Sequence, residues 1–114
     1  MDIYYGATKV NGQFLTPQQT SIKPQVMIPD GYVLIMWDKT KNFLHWIATS
    51  QGDVVEYHGP SPPQDGLHHV YVFDLIPLQY AISYNPNRQN FMLSPDFEVA
   101  GFNSSYTSDQ QFMF

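Results

Sequence analysis

The sequence predicts a mainly β domain, an antiparallel β-sandwich with at most one or two short helices. Three observations lead there. Apolar residues fall in short runs rich in β-branched and aromatic side chains. Turn signals separate those runs at fairly regular spacing. And 114 residues, 43% hydrophobic and 16% aromatic, supply one core but not two, so residues 1–114 are expected to form a single domain.

Taken in order, Ser21 to Ile28 alternates around Ile22, Val26 and Ile28, with Pro24 arguing against a central position in a sheet. Pro29-Asp30-Gly31 marks a turn. Tyr32 to Trp37 is a continuous apolar run ending at Asp38 and reads as a buried strand; Phe43 to Ala48 reads the same way. Gln51-Gly52-Asp53 is a turn and Val54 to Tyr57 a short strand. Gly59 to Gly66 holds three prolines and two glycines and excludes regular structure. Val70 to about Ile76 restarts a strand. Asn85-Pro86-Asn87 reads as a turn. Ser94-Pro95-Asp96 has the form of a helix start, with Ser94 as N-cap and Pro95 in the first position, and Gly101 is expected to end that helix after about two turns. Beyond it the chain is polar, with Phe112 and Phe114 as candidate anchors.

Charge narrows the function classes. Only 13% of residues are charged and the formal net charge is −5. Lys9, Lys23, Lys39, Lys41 and Arg88 form no dense cluster, which argues against nucleic acid and against electrostatic attachment to an anionic membrane. With no cysteine, disulfides, thiolate catalysis and cysteine zinc sites are excluded. No signal-peptide pattern and no apolar run of membrane-spanning length is present, so a soluble, cytoplasmic protein is expected. The uncharged polar surface leaves room for a partner or for self-association into a homo-oligomer.

The chemistry concentrates in His58 to Phe73, where a stiff proline-glycine loop runs into His68-His69 and a strand, preceded by Asp38 and by His45 beside Trp46. Such a loop presents backbone N–H groups, because glycine permits and proline restricts conformations. Imidazoles and the Tyr71 phenol add donors. On a strand His69 and Tyr71 face one side and His68 the other. One of Pro62 and Pro63 is a candidate for a cis bond. A carboxylate near an imidazole raises its pKa, so Asp38 is expected to orient and charge His45 or His69. His45 could equally be a core histidine, and Asp38 a turn cap.

Four segments in order resemble the phosphatidylethanolamine-binding protein family, also called the Raf kinase inhibitor protein family. They are Val10 to Gln19 with Lys23-Pro24, resembling its Leu-Thr-Pro entry; Tyr32 to Thr40, resembling the strand into its Asp-Pro-Asp-Ala-Pro motif; Leu44-His45-Trp46; and Tyr57 to Pro63 with Gly66 to Phe73, resembling its Gly-x-x-Pro-Pro-x-Gly-x-His-Arg-Tyr motif. The chain departs from the pattern at Lys39-Thr40, at the missing motif arginine and in a shortened C-terminal region, as in a divergent member from a compact genome such as a virus. Matching Tyr71 places His69 on the motif histidine; matching the histidine pair places His68 there.

The resemblance implies a non-enzymatic binding protein with a pocket for a small anion, a phosphate or phospholipid headgroup, formed by Asp38, His45, Ser61, Pro63, His69 and Tyr71, with no cofactor. It also implies a protein partner such as a kinase or protease. The alternatives are a metal site of Asp38, His45 and His69, a hydrolytic site in which a His-Asp pair is general base, and a vestigial pocket on a protein-interaction module.

Overall fold

The structure is a computed structural model and describes residues 1–80 and 87–107. Eight strands build it: β1 (Ile3–Tyr5), β2 (Thr8–Lys9), β3 (Gln25–Val26), β4 (Tyr32–Asp38), β5 (Phe43–Thr49), β6 (Gly52–Val55), β7 (His68–Pro77) and β8 (Glu98–Ser105). They form a three-stranded sheet in the order β2-β1-β3 and a five-stranded sheet in the order β6-β5-β4-β7-β8. Every strand pairing in both is antiparallel. The expected class, mainly β with antiparallel sheets, is the one observed.

Both faces of the central strands of the large sheet, β4, β5 and β7, are buried. On one face Leu34, Met36, Trp46, Ala48, Tyr71, Phe73 and Phe102 pack with Ile3 and Tyr5 of the small sheet. On the other, Val33, Ile35, Trp37, Leu44, Ile47, Val72 and Ile76 pack with Phe91, and Leu93 and Phe97 lie against them. Successive side chains of a strand point to opposite faces, so a strand with two covered faces must be apolar at every position. That is the origin of the unbroken run in β4. Burying a large apolar side chain contributes about 1.5–3 kcal/mol, and the central strands carry most such residues.

One carboxylate lies within this second core. Asp74 of β7 has no exposed surface. Its Oδ1 accepts a long hydrogen bond from Trp37 Nε1 at 3.5 Å, and no described group bonds its Oδ2.

Several local expectations are corrected. Only Gln25–Val26 of the Ser21–Ile28 run pairs as strand, against Ile3 and Tyr4. Pro24 has no N–H to offer, and Ile22 and Met27 are 79% and 90% exposed, so most of the run meets no sheet. The β1–β2 hairpin, which turns at Gly6 with φ +60°, was not expected at all. The strand expected at Val54–Tyr57 is Gly52–Val55, and β7 begins at His68 rather than Val70.

The helix expected after Ser94 is one 3₁₀ turn, Pro95–Phe97. Ser94 does cap it, accepting from the Asp96 N–H. The chain then turns into β8, because residues 98–105 gain a full ladder against β7, which outweighs a cap that stabilises one turn. Gly101 therefore sits inside a strand. No cis peptide bond occurs among the described residues, which corrects the expectation at Pro62 and Pro63. Asn85, Pro86, Phe112 and Phe114 lie outside the described residues. Among the described residues no helix is long and apolar enough to cross a membrane.

Candidate functional site

Asp38 closes β4 and stands opposite Tyr71 of β7. Its Oδ1 accepts from the N–H groups of Thr40 (2.8 Å) and Lys41 (3.1 Å), which bends the chain toward β5. Its Oδ2 lies 2.7 Å from His69 Nδ1. Asp38 thus caps a turn and orients a histidine at once. The same turn is stitched to β7, with the Val70 N–H donating to Thr40 Oγ1 and the Lys39 N–H to the Val70 carbonyl.

His69 is 1% exposed. Its Nε2 lies 3.0 Å from Oδ2 of Asp65, whose Oδ1 accepts from the Leu67 N–H at 3.0 Å. The Leu67 amide, and after it His69, hold the Asp65 carboxyl below its ordinary value. Carboxylate oxygens only accept, so His69 serves both partners when each ring nitrogen carries a proton. The two adjacent histidines differ in burial. His69 faces inward and stacks on Tyr71, with centroids 6.3 Å apart and planes at 19°. His68 is exposed and meets Phe14 edge-on at 5.6 Å.

His45 is a buried, hydrogen-bonded core histidine, one of the two readings open to it. Its Nδ1 lies 2.6 Å from the His58 carbonyl oxygen, to which it donates, and the His58 N–H donates back to the His45 carbonyl. Burial pushes its pKa down to about 4, against the opposing pull of that carbonyl and of Asp38. Asp38 therefore orients His69, and His45 stays a neutral donor, edge-on to Phe43 and Tyr71. Tyr71 is 1% exposed and stacks on Phe102, and burial raises its phenol strongly.

Of the expected residues, Asp38, His45, His69 and Tyr71 form one continuous row. Ser61 is half-buried in the loop between buried Pro60 and Pro62. Pro63 is exposed, and its carbonyl accepts from the Asp65 N–H, so it turns the loop. Asp65 was missed: it read as part of a proline-glycine loop, although an Asp-Gly turn four residues before His69 was the available signal. The guanidinium of Arg88 donates to the carbonyls of Leu44, His45 and Glu56 at 3.2, 2.9 and 2.7 Å.

Among the described residues no three His, Asp or Glu side chains are placed to hold a metal ion. Asp38, His45 and His69 make no such set, and both ring nitrogens of His69 already face carboxylates. Two open grooves, of about 600 and 510 Å³, lie elsewhere, one by Trp46 and β3 and one along β8. Neither is lined by His69.

No family model and no curated sequence matches this chain. Its likeness is to solved structures. A carboxypeptidase Y inhibitor, in complex with its cognate proteinase, superposes with a TM-score of 0.68 at 17% identity, covering 93% of this chain and 82% of that one. A phosphatidylethanolamine-binding protein from Plasmodium falciparum superposes with a TM-score of 0.50 at 14% identity, covering 91% and 83%. The fold is that of the phosphatidylethanolamine-binding proteins. Within this phosphatidylethanolamine-binding-protein-like fold, the described site is a buried imidazole clasped by carboxylates on both edges, chemistry suited to holding charge and shaping a loop.

Proposed function

We propose that this chain is a non-enzymatic binding protein that takes a small oxyanion, a phosphate or a phosphoryl headgroup, at the Asp38–His69–Tyr71 corner. In this reading the loop over that corner faces a protein partner, such as a protease or a kinase. The contact that carries it is His69 Nε2 on Asp65 Oδ2 at 3.0 Å: the outward edge of a buried, oriented imidazole already holds an anionic group. The likeness to an inhibitor bound to its cognate proteinase supports a protein partner.

Among the described residues, the histidines are engaged in holding structure, which fits a binding role. Both nitrogens of His69 are spent on carboxylates, and Nδ1 of His45 donates to the His58 carbonyl. Neither histidine activates a hydroxyl by any hydrogen bond observed, and a general base needs such reach.

Titration with inorganic phosphate, followed by histidine side-chain NMR, tests the reading. The His69 ring signals are expected to move while those of His45, held on the His58 carbonyl, stay in place. His69 signals that stay fixed at millimolar phosphate, in the wild type and in Asp65→Ala alike, would overturn it.

A further inference from the structure

Three donors converge on the carboxylate of Asp65. His69 Nε2 is 3.0 Å from Oδ2, the Leu67 N–H is 3.0 Å from Oδ1, and Lys41 Nζ is 3.8 Å from Oδ2. They come from the start of β7, from the loop and from the turn after β4. One of the three is fixed without help from Asp65, and a second has its backbone anchored. Asp38 holds the imidazole from behind through Nδ1, and the same carboxylate takes the Lys41 N–H and so anchors the backbone that carries Nζ.

The occupant sits on an exposed loop. Residues 63–68 are exposed, and Gly66 has φ +76°, a conformation that suits a glycine turn. Displacing Asp65 thus uncovers His69 and little else. Without Asp65, the Lys41 ammonium and the Nε2 edge of His69 are left facing the loop side, while the Asp38 carboxylate stays spent on Nδ1 and two turn amides. A carboxylate brings one negative charge to such a place, whereas a phosphate brings up to two and more acceptor oxygens.

We propose that this is an oxyanion cradle whose resident ligand is the chain's own Asp65, a tethered carboxylate that a phosphate group must displace, swinging the loop of residues 63–67 outward. The proposal rests on the anion-binding reading above and adds what occupies the site and what ligand entry moves. Tethering gives Asp65 a high effective concentration at His69, so weak singly charged anions compete poorly. Because exposed Leu67 lies in the loop and exposed His68 follows it, anion entry also reshapes the surface a protein partner would meet.

The experiment titrates wild type, Asp65→Ala and the double variant Asp65→Ala/Lys41→Ala with inorganic phosphate and, separately, with O-phosphorylethanolamine, following the His69 ring and the Leu67 amide by NMR. Asp65→Ala is expected to bind at least about tenfold more tightly than wild type, because the charge-assisted contact it removes no longer competes. The double variant is expected to lose most of that gain. Equal affinity for the two ligands assigns the cradle to the phosphate group alone; tighter binding of the ethanolamine ester assigns it to the headgroup. Asp65→Asn, which keeps the shape and removes the charge, is expected to fall between wild type and Asp65→Ala, and covers the case in which the alanine loop collapses. Equal binding by wild type and both Asp65 variants overturns the tethered occupant and leaves the anion site standing. No binding by any of them overturns both.

Discussion

Asp38 stands directly across the β4–β7 ladder from Tyr71, and that register carries its carboxylate to His69, two residues earlier on the same face of β7. A slip of one residue in this pairing would turn His69 and Tyr71 to the opposite face. The histidine site is therefore a property of strand register, and each apolar partner of β4 helps to hold it.

Loss of the Asp38 carboxylate should be costly. Asp38→Ala leaves the Thr40 and Lys41 amides and the Nδ1 of His69 without their acceptor in a site where Asp38 is 4% exposed. We expect a loss on the order of 3 kcal/mol in urea unfolding, with the slope unchanged. Asp38→Asn keeps an acceptor for the two turn amides and should lose clearly less. An Asp38→Ala variant as stable as wild type would show that the carboxylate does not organise the turn.

Two buried groups should pull stability in opposite directions as pH falls. Burial first, with the nearby charge of Glu98, raises Asp74 to about 6 from 3.8, while the Trp37 N–H opposes the shift. Its folded pKa is the higher one, so the stability of its protonated form is fully present below pH 3.8 and lost as pH rises through 6. His45 is depressed to about 4 from 6.5, so its contribution is present above pH 6.5 and lost as pH falls through 4. The two slopes oppose each other over nearly the same window. Asp74→Asn should therefore stabilise the protein at pH 7, on the order of 2 kcal/mol, with the gain gone by pH 4. Chemical unfolding of both proteins across that range checks it, and a gain independent of pH would count against the assignment.

Gly101 offers a backbone test. A Cβ built there would meet the Tyr71 carbonyl oxygen at 3.0 Å, and that oxygen cannot swing aside as a flexible side chain would. Gly101→Ala should cost about 1–2 kcal/mol. At a plain, uncrowded strand position the same change is neutral or helpful, so thermal unfolding of the variant decides between the two.

How far the sequence reaches is plain from these residues. β4, β5 and β7 were legible because burial on two faces writes itself as unbroken apolar runs. The hairpin of β1 and β2 was not, because strands of three and two residues carry too few positions for a pattern. β8 was hidden by a sound local signal: Ser94-Pro95-Asp96 does begin a turn, and only the ladder with β7, invisible locally, ends it. Asp38, His69 and Tyr71 were legible through motif order and strand alternation. The contact of Asp65 with His69 was not, since it depends on how a proline-glycine loop folds back on itself.

The guanidinium of Arg88 reaches carbonyls 43 and 44 residues earlier in the chain, and Phe91, Leu93 and Phe97 close the face that holds Val33, Ile35 and Ile47. During synthesis that face is made long before its cover. The β4–β5 hairpin emerges with one apolar side unprotected and waits there until the ribosome has passed Phe97. Such a chain is most exposed to wrong association in that interval, and the distance from β5 to Phe97 sets how long it lasts.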